Sequence, residues 1–245
     1  MTWIKICGTT NLEDALVAVE AGADALGFVF YEKSPRNITV QAAREIVEKL
    51  PAGVEKIGVF VNGNEVDPWT VILGAGLTGM QSYMSTEGGA GHSGPKAVDL
   101  SFFPKRARFL MALPMSLIGE GDEQILQLAA DFAKWRKNLP EGFSLPEGVW
   151  DTFVMDSGDL QQPGGTGKTF DWKKAVPLAE GMRQGGMKLV VAGGLTPENV
   201  GEAIGILKPW GVDVASGVES KPGKKDPEKV RAFVRAVREM DRKAF

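Results

Sequence analysis

The sequence has one cysteine and one histidine in 245 residues. A single cysteine excludes an internal disulfide framework, and one cysteine with one histidine falls short of a zinc site. No apolar run approaches the roughly 18 residues that a membrane-spanning helix requires. The opening residues, Met1 to Gly8, lack the charged start, apolar stretch and cleavage site of a secretory leader. Basic charge is not in excess either: 28 Lys and Arg stand against 31 Asp and Glu, a formal net charge of −3. That balance gives no electrostatic footprint for nucleic acid. The late basic residues Lys221, Lys224, Lys225, Arg231, Arg235 and Arg238 alternate with acids and read as a solvated helix face. These absences point to the cytoplasm, with neither a membrane nor a nucleic acid as partner.

Hydrophobic residues make up 43% and charged residues 24%, enough apolar material for a large core. Short β-rich runs alternate with helical patterns, which argues for parallel strands joined by helical crossovers. The strands expected are Trp3–Ile6, Ala25–Phe30, Lys56–Phe60, Thr78–Gln81, Phe109–Ala112, Thr152–Met155, Lys188–Ala192 and Val212–Ala215. Eight such strands suit one closed (β/α)8 barrel, for which about 250 residues is typical. Residues 1–245 are therefore read as a single (β/α)8 barrel domain of the α/β class.

Helix signals support the same architecture. Thr10 and Glu13 form a capping box ahead of the stripe Leu12, Ala15, Leu16 and Val19, and Gly22 follows where a terminating glycine belongs. Thr39 caps a second helix with Ala43, Ile46, Val47 and Leu50 on one face. Thr196-Pro197 and Asp226-Pro227 each set a cap before an N1 proline, followed by the stripes Val200, Ala203, Ile204, Leu207 and Val230, Phe233, Val234, Val237. Two stretches are irregular. Gly88–Lys96, which contains His92, is too glycine-rich for a stable helix and leaves the fourth crossover a loop. After the fifth strand, a helical pattern over Ile125, Leu128, Ala129 and Phe132 leads into Leu139–Gly148, an enlarged surface connection. His92, alone in its loop, reads as solvent-exposed.

Active sites of such barrels lie at the C-terminal ends of the strands. The first strand ends at Cys7. Alternation puts Trp3, Lys5 and Cys7 on one face, so a barrel-facing Cys7 would have an ammonium beneath it, which favours the thiolate. Cys7 is either a base or an inert buried residue on position alone. Asp156 directly follows an apolar strand, as a general acid with a raised pKa or as a loop cap. Arg36 is either a carboxylate clamp or a surface arginine. Three glycine segments resemble phosphate cradles: Gly164-Gly165-Thr166-Gly167 after strand six, Ala192-Gly193-Gly194-Leu195 ending strand seven, and Ala215-Ser216-Gly217-Val218 ending strand eight. No Gly-Lys-Ser/Thr follows at Walker spacing.

In order along the chain, Lys5-Ile6-Cys7-Gly8, Gly22 to Phe30 with Ser34-Pro35-Arg36, Gly58 to Asn62, Gly164 to Trp172, Ala192 to Leu195 with Asn199, Gly211 to Glu219 and Lys225-Asp226 resemble the phosphoribosylanthranilate isomerase family of tryptophan biosynthesis. The resemblance implies an Amadori rearrangement of a small phosphorylated substrate, without metal or organic cofactor, by a monomer or homodimer. It implies Cys7 as base, Asp156 as acid and Arg36 on the anthranilate carboxylate. It further implies Gly165, Gly193, Gly194, Ser216 and Gly217 around the phosphate and Asp213 near the ribose.

The chain departs from the family pattern after strand four, where Met80-Gln81-Ser82-Tyr83-Met84 stands in place of Val/Leu-Gln-Leu-His-Gly, so that Tyr83 replaces the histidine and Met84 the glycine. Two rival readings are a histidine-pathway phosphosugar isomerase and a catalytically silent phosphate-ligand binder. The first pattern carries an aspartate where this chain has Cys7, and the second is disfavoured by the retained Cys7 and Asp156.

Overall fold

The computed structural model describes residues 1–61, 67–83, 108–115, 152–158 and 167–243. Eight parallel strands close into a barrel in chain order: β1 (Trp3–Ile6), β2 (Ala25–Val29), β3 (Glu55–Phe60), β4 (Gly79–Tyr83), β5 (Arg108–Pro114), β6 (Thr152–Asp156), β7 (Lys188–Val191) and β8 (Gly211–Val214). Closure comes from β1 pairing with β8, Trp3 opposite Gly211 and Lys5 opposite Asp213. All eight expected strands form, with bounds that differ by at most two residues. Around them lie α1 (Leu12–Ala21), α2 (Val40–Val47), α3 (Pro68–Ala75), α4 (Val176–Gln184), α5 (Val200–Leu207) and α6 (Pro227–Lys243).

Alternation along each strand divides the apolar side chains into two cores. Ile4, Ile6, Leu26, Phe28, Phe153 and Val212 point outward and pack under the helices. Trp3, Cys7, Ala25, Val29, Val154 and Val190 belong to the cluster inside the barrel. Lys5 and Cys7 thus face inward, as the strand pattern required. The N-terminal end of the barrel is closed by Trp3 stacked on Trp210 at 5.1 Å, with the Arg108 guanidinium 4.8 Å from the Trp210 ring. The opposite end remains open, and the site lies there.

The helix caps are partly as expected. Thr39 Oγ1 accepts from Ala42 N–H, Asp226 Oδ1 accepts from Glu228 and Lys229 N–H ahead of α6, and Gly22 ends α1 with φ 101°. The expected capping box at Thr10 and Glu13 is not what forms. Asn11 Oδ1 caps α1 by accepting from Asp14 N–H at 2.9 Å, while Thr10 Oγ1 donates to the Gly223 carbonyl and Glu13 pairs with Lys224. Adjacent residues both capable of capping compete, and the tertiary contact claims Thr10. Thr196-Pro197 likewise does not open α5. The helix starts at Val200, after a turn in which Thr196 N–H donates to Asn199 Oδ1 at 2.8 Å. Two further helices form: α3 opens on Asp67-Pro68, the same cap-proline signal as Asp226-Pro227, and α4 has Pro177 in its first turn. A short antiparallel pair, β9 (Glu219–Lys221) with β10 (Lys224–Lys225), follows β8 and was not expected.

Gly88–Lys96 with His92, the Ile125–Phe132 pattern, Leu139–Gly148 and Gly165 lie outside the described residues. No helix among the described residues is long and apolar enough to cross a membrane.

Candidate active site

The barrel mouth opens into a cavity of about 430 Å³. Cys7, Arg36, Asp156, Gly193, Gly194, Asp213 and Ser216, all candidates from the sequence, line it. Gly217 follows Ser216 in a 3-10 turn, Ser216–Val218, at the end of β8. Tyr83 and Gln81 from β4 line the same cavity and were not among the candidates.

Cys7 is seated by its own backbone, whose N–H donates to the Val214 carbonyl at 2.8 Å, and by a gap in the facing strand. A Cβ on Gly27 of β2 would stand 2.6 Å from Cys7 Sγ, so glycine there makes room for the thiol. Below it, Lys5 is fully buried; its Nζ donates to Asp213 Oδ2 at 2.7 Å and to Gln81 Oε1 at 2.9 Å. Burial works against the Lys5 ammonium, but Asp213 and Cys7 hold its pKa above the usual value. Lys5 does favour the Cys7 thiolate, as expected of a nearby cation, but it does not decide the net shift. Burial pushes the thiol up, Lys5 and Lys225 only partly offset this, and Asp213 adds to it.

Asp156 sits at the end of β6, 5% exposed. Its Oδ1 accepts from Gly158 N–H at 3.0 Å and its Oδ2 from the Tyr83 hydroxyl at 2.8 Å. Burial raises its pKa, against those two bonds, so the carboxyl is biased toward the protonated form that an acid needs.

Arg36 is neither a free clamp nor a surface residue. Its Nε and Nη2 donate to Glu219 Oε1 and Oε2 at 2.9 and 2.7 Å, a bidentate pair with side chains 11% and 4% exposed. Nη1 has no protein acceptor among the described residues. Lys225, equally buried, donates from Nζ to Glu219 Oε1 at 3.0 Å and to the Cys7 and Ala215 carbonyls. Burial opposes the Glu219 charge, yet Arg36 and Lys225 hold that carboxylate below its usual range. Sequence proximity could not reveal this triad, because Arg36 and Glu219 are 183 residues apart.

The loops after β7 and β8 converge at the same mouth. Gly193 and Gly194 have φ of 80° and 61°, and Asn199 Nδ2 donates to the Gly194 carbonyl at 3.0 Å, fixing the turn. A Cβ on Gly217 would fall 1.8 Å from the Leu195 carbonyl oxygen, so the two loops touch where only glycine fits. The result is a backbone-lined concavity of the kind that holds phosphate.

A family model described as N-(5'-phosphoribosyl)anthranilate (PRA) isomerase matches residues 4–67 and 123–236. The chain belongs to the phosphoribosylanthranilate isomerase family. The N-(5'-phosphoribosyl)anthranilate isomerase of Rubrobacter xylanophilus is 42% identical over 238 residues, covering 97% of this chain and 100% of the relative. That of Pseudomonas aeruginosa is 41% identical over 235 residues, covering 96% and 94%. Among solved structures, the phosphoribosyl anthranilate isomerase of Thermotoga maritima superposes with a TM-score of 0.70 at 34% identity, covering 98% of this chain and 100% of that one. A phosphoribosyl anthranilate isomerase in complex with reduced 1-(o-carboxyphenylamino)-1-deoxyribulose 5-phosphate gives 0.67 at 33% identity, covering 98% and 100%. The fold and the family read from the sequence both stand. In this phosphoribosylanthranilate isomerase fold, Glu219 and Lys225 fall in segments that carried the resemblance, whereas Tyr83 falls where the chain departs from it.

Proposed function

We propose that the cavity carries out the Amadori rearrangement of N-(5'-phosphoribosyl)anthranilate to 1-(2-carboxyphenylamino)-1-deoxyribulose 5-phosphate, a step of L-tryptophan biosynthesis. The observation that carries this reading is that one cavity is lined by an acid-biased Asp156, Cys7, Arg36 and the glycine loops after β7 and β8. An anthranilate carboxylate and a phosphate are the two charged ends such a cavity suits. Asp156 gives its proton to the furanose ring oxygen, the C1–O bond breaks and a Schiff base forms. The Cys7 thiolate takes the C2 proton, leaving an enolamine that tautomerises to the ketone. A thiol with a raised pKa is seldom ionised at neutral pH, but its thiolate is a stronger base toward carbon.

Arg36 Nη1 reads the anthranilate carboxylate, with Glu219 holding the guanidinium plane. The backbone of Gly193, Gly194, Ser216 and Gly217 receives the phosphate. Asp213 Oδ1 is buried without a hydrogen-bond partner among the described residues, which suits it to accept from a ribose hydroxyl. The chain works in the cytoplasm as one domain, as a monomer or homodimer, and uses neither metal nor cofactor. The phosphoribosylanthranilate isomerase of Thermotoga maritima is dimeric, and monomers have been generated from it.

The test follows the loss of phosphoribosylanthranilate fluorescence on adding purified protein. Cys7→Ala and Asp156→Asn should each cost roughly 10²- to 10⁴-fold in turnover while product binding stays measurable. Full activity in either variant refutes the role given to that residue.

A further inference from the structure

The acid of this site is gripped from two parts of the barrel. One bond comes from its own turn, through Gly158 N–H, and the other from the Tyr83 hydroxyl at the end of β4. β5 lies between β4 and β6, so the tyrosine reaches past a strand and does not follow from strand pairing. Both side chains are buried, Tyr83 at 7% and Asp156 at 5% exposure. Asp156 Oδ2 has two lone-pair sites, so the Tyr83 hydroxyl can donate to one while the other carries the proton for the substrate. The same contact therefore persists in both protonation states that an acid passes through.

We propose that Tyr83 is the positioning residue of the acid: its hydroxyl keeps Asp156 Oδ2 aimed into the cavity, at the atom to be protonated, through the whole cycle. This rests on Asp156 being the acid. The histidine expected at this position from the family pattern also carries an N–H donor, so this chain keeps a donor there on a different scaffold. The titratable groups acting on Asp156 are Tyr83 from β4, Lys5 from β1 and Asp213 from β8, and Cys7, just after β1, acts on Tyr83. The flanking strands bring only Pro114, opposite Asp156 on β5, and Ala192 after β7. Burial and the Asp156 charge push the Tyr83 phenol well above its ordinary value. Tyr83 thus remains a neutral hydroxyl and a poor proton source, which separates positioning from acid catalysis.

Tyr83→Phe removes a single oxygen and opens no cavity large enough to threaten folding. The measurements are kcat and KM with phosphoribosylanthranilate, and the titration of the Asp156 carboxyl by infrared difference spectroscopy, its band assigned by its absence in Asp156→Asn. We expect kcat to fall roughly 10- to 100-fold with KM within about two-fold. The Asp156 midpoint should rise by roughly one pH unit, because a bond that favours the carboxylate is gone. Tyr83→His should recover part of the lost kcat. The proposal is overturned if Tyr83→Phe keeps full kcat, if kcat falls while the Asp156 midpoint stays in place, or if Tyr83→His recovers nothing. Full turnover in Asp156→Asn would instead remove the acid assignment itself, so the two failures are distinguishable.

Discussion

Lys5→Met tests the electrostatic floor of the site. Methionine keeps most of the lysine stem and its volume, so the change isolates the ammonium. That ammonium is fully buried and donates to Asp213 Oδ2 at 2.7 Å and to Gln81 Oε1 at 2.9 Å. Asp213 already has one unpartnered buried oxygen, Oδ1, among the described residues. Removing the ammonium would leave the second without its cation too. Breaking a buried pair from one side costs about 3–5 kcal/mol. In a chain of this length each kcal/mol lowers Tm by roughly 2–4 °C, so a fall on the order of 10 °C is expected. Asp213→Asn introduced alongside removes the stranded charge. The double variant should therefore be more stable than the sum of the single losses predicts, with a coupling of about 1–3 kcal/mol. Thermal melts followed by circular dichroism, with urea midpoints as a second readout, measure all three variants. A loss under about 1 kcal/mol for Lys5→Met, or strict additivity in the double variant, would show that the pair is hydrated or not formed and would refute this account.

Two other consequences follow from the burial of the reacting groups. Asp156 is raised above its ordinary value of 3.8 by burial, so the native state holds that proton more tightly than the unfolded chain. Its contribution to stability is complete below the ordinary aspartate range and is lost as pH rises through the folded-state value. Asp156→Asn, which cannot ionise, should therefore be more stable than the native chain at pH 7, by about 1–2 kcal/mol, and the gain should vanish below the ordinary aspartate range. Urea melts at both pH values check it, and an equal gain at each would contradict the burial argument. Cys7, the sole cysteine, is 8% exposed and its thiol is pushed up by burial. Iodoacetamide at neutral pH should alkylate it at least about ten-fold more slowly than free cysteine, with mass spectrometry reporting a single site. Labelling as fast as free cysteine would mean the thiol is not held as described.

Position along the chain was largely legible, because strand alternation and burial are local. Cys7 and Asp156 each come directly after a buried strand run, and in a barrel that location alone puts a side chain at the mouth. The glycine loops after β7 and β8 were visible for the same reason. The boundaries that shifted did so where two local signals competed, as at Thr10 and Asn11, and a distant carbonyl at Gly223 decided between them. What was not legible is the state of each group, which depends on partners brought in by closure. Lys5 lies two residues from Cys7, and from that neighbourhood alone it reads as the cation that activates the thiol. Asp213, 208 residues away, also holds the ammonium and opposes the thiolate, and burial then sets the sign of the Cys7 shift. Arg36 reads as free until Glu219 arrives from beyond β8, and Asp156 lacks its second bond until Tyr83 arrives from β4. In each case the sequence locates the reacting atom, and a long-range partner decides its charge and direction. That makes Tyr83 the most telling of these contacts. It is the one long-range partner at which the chain leaves its family's pattern, yet it still supplies the hydrogen-bond donor that the acid requires.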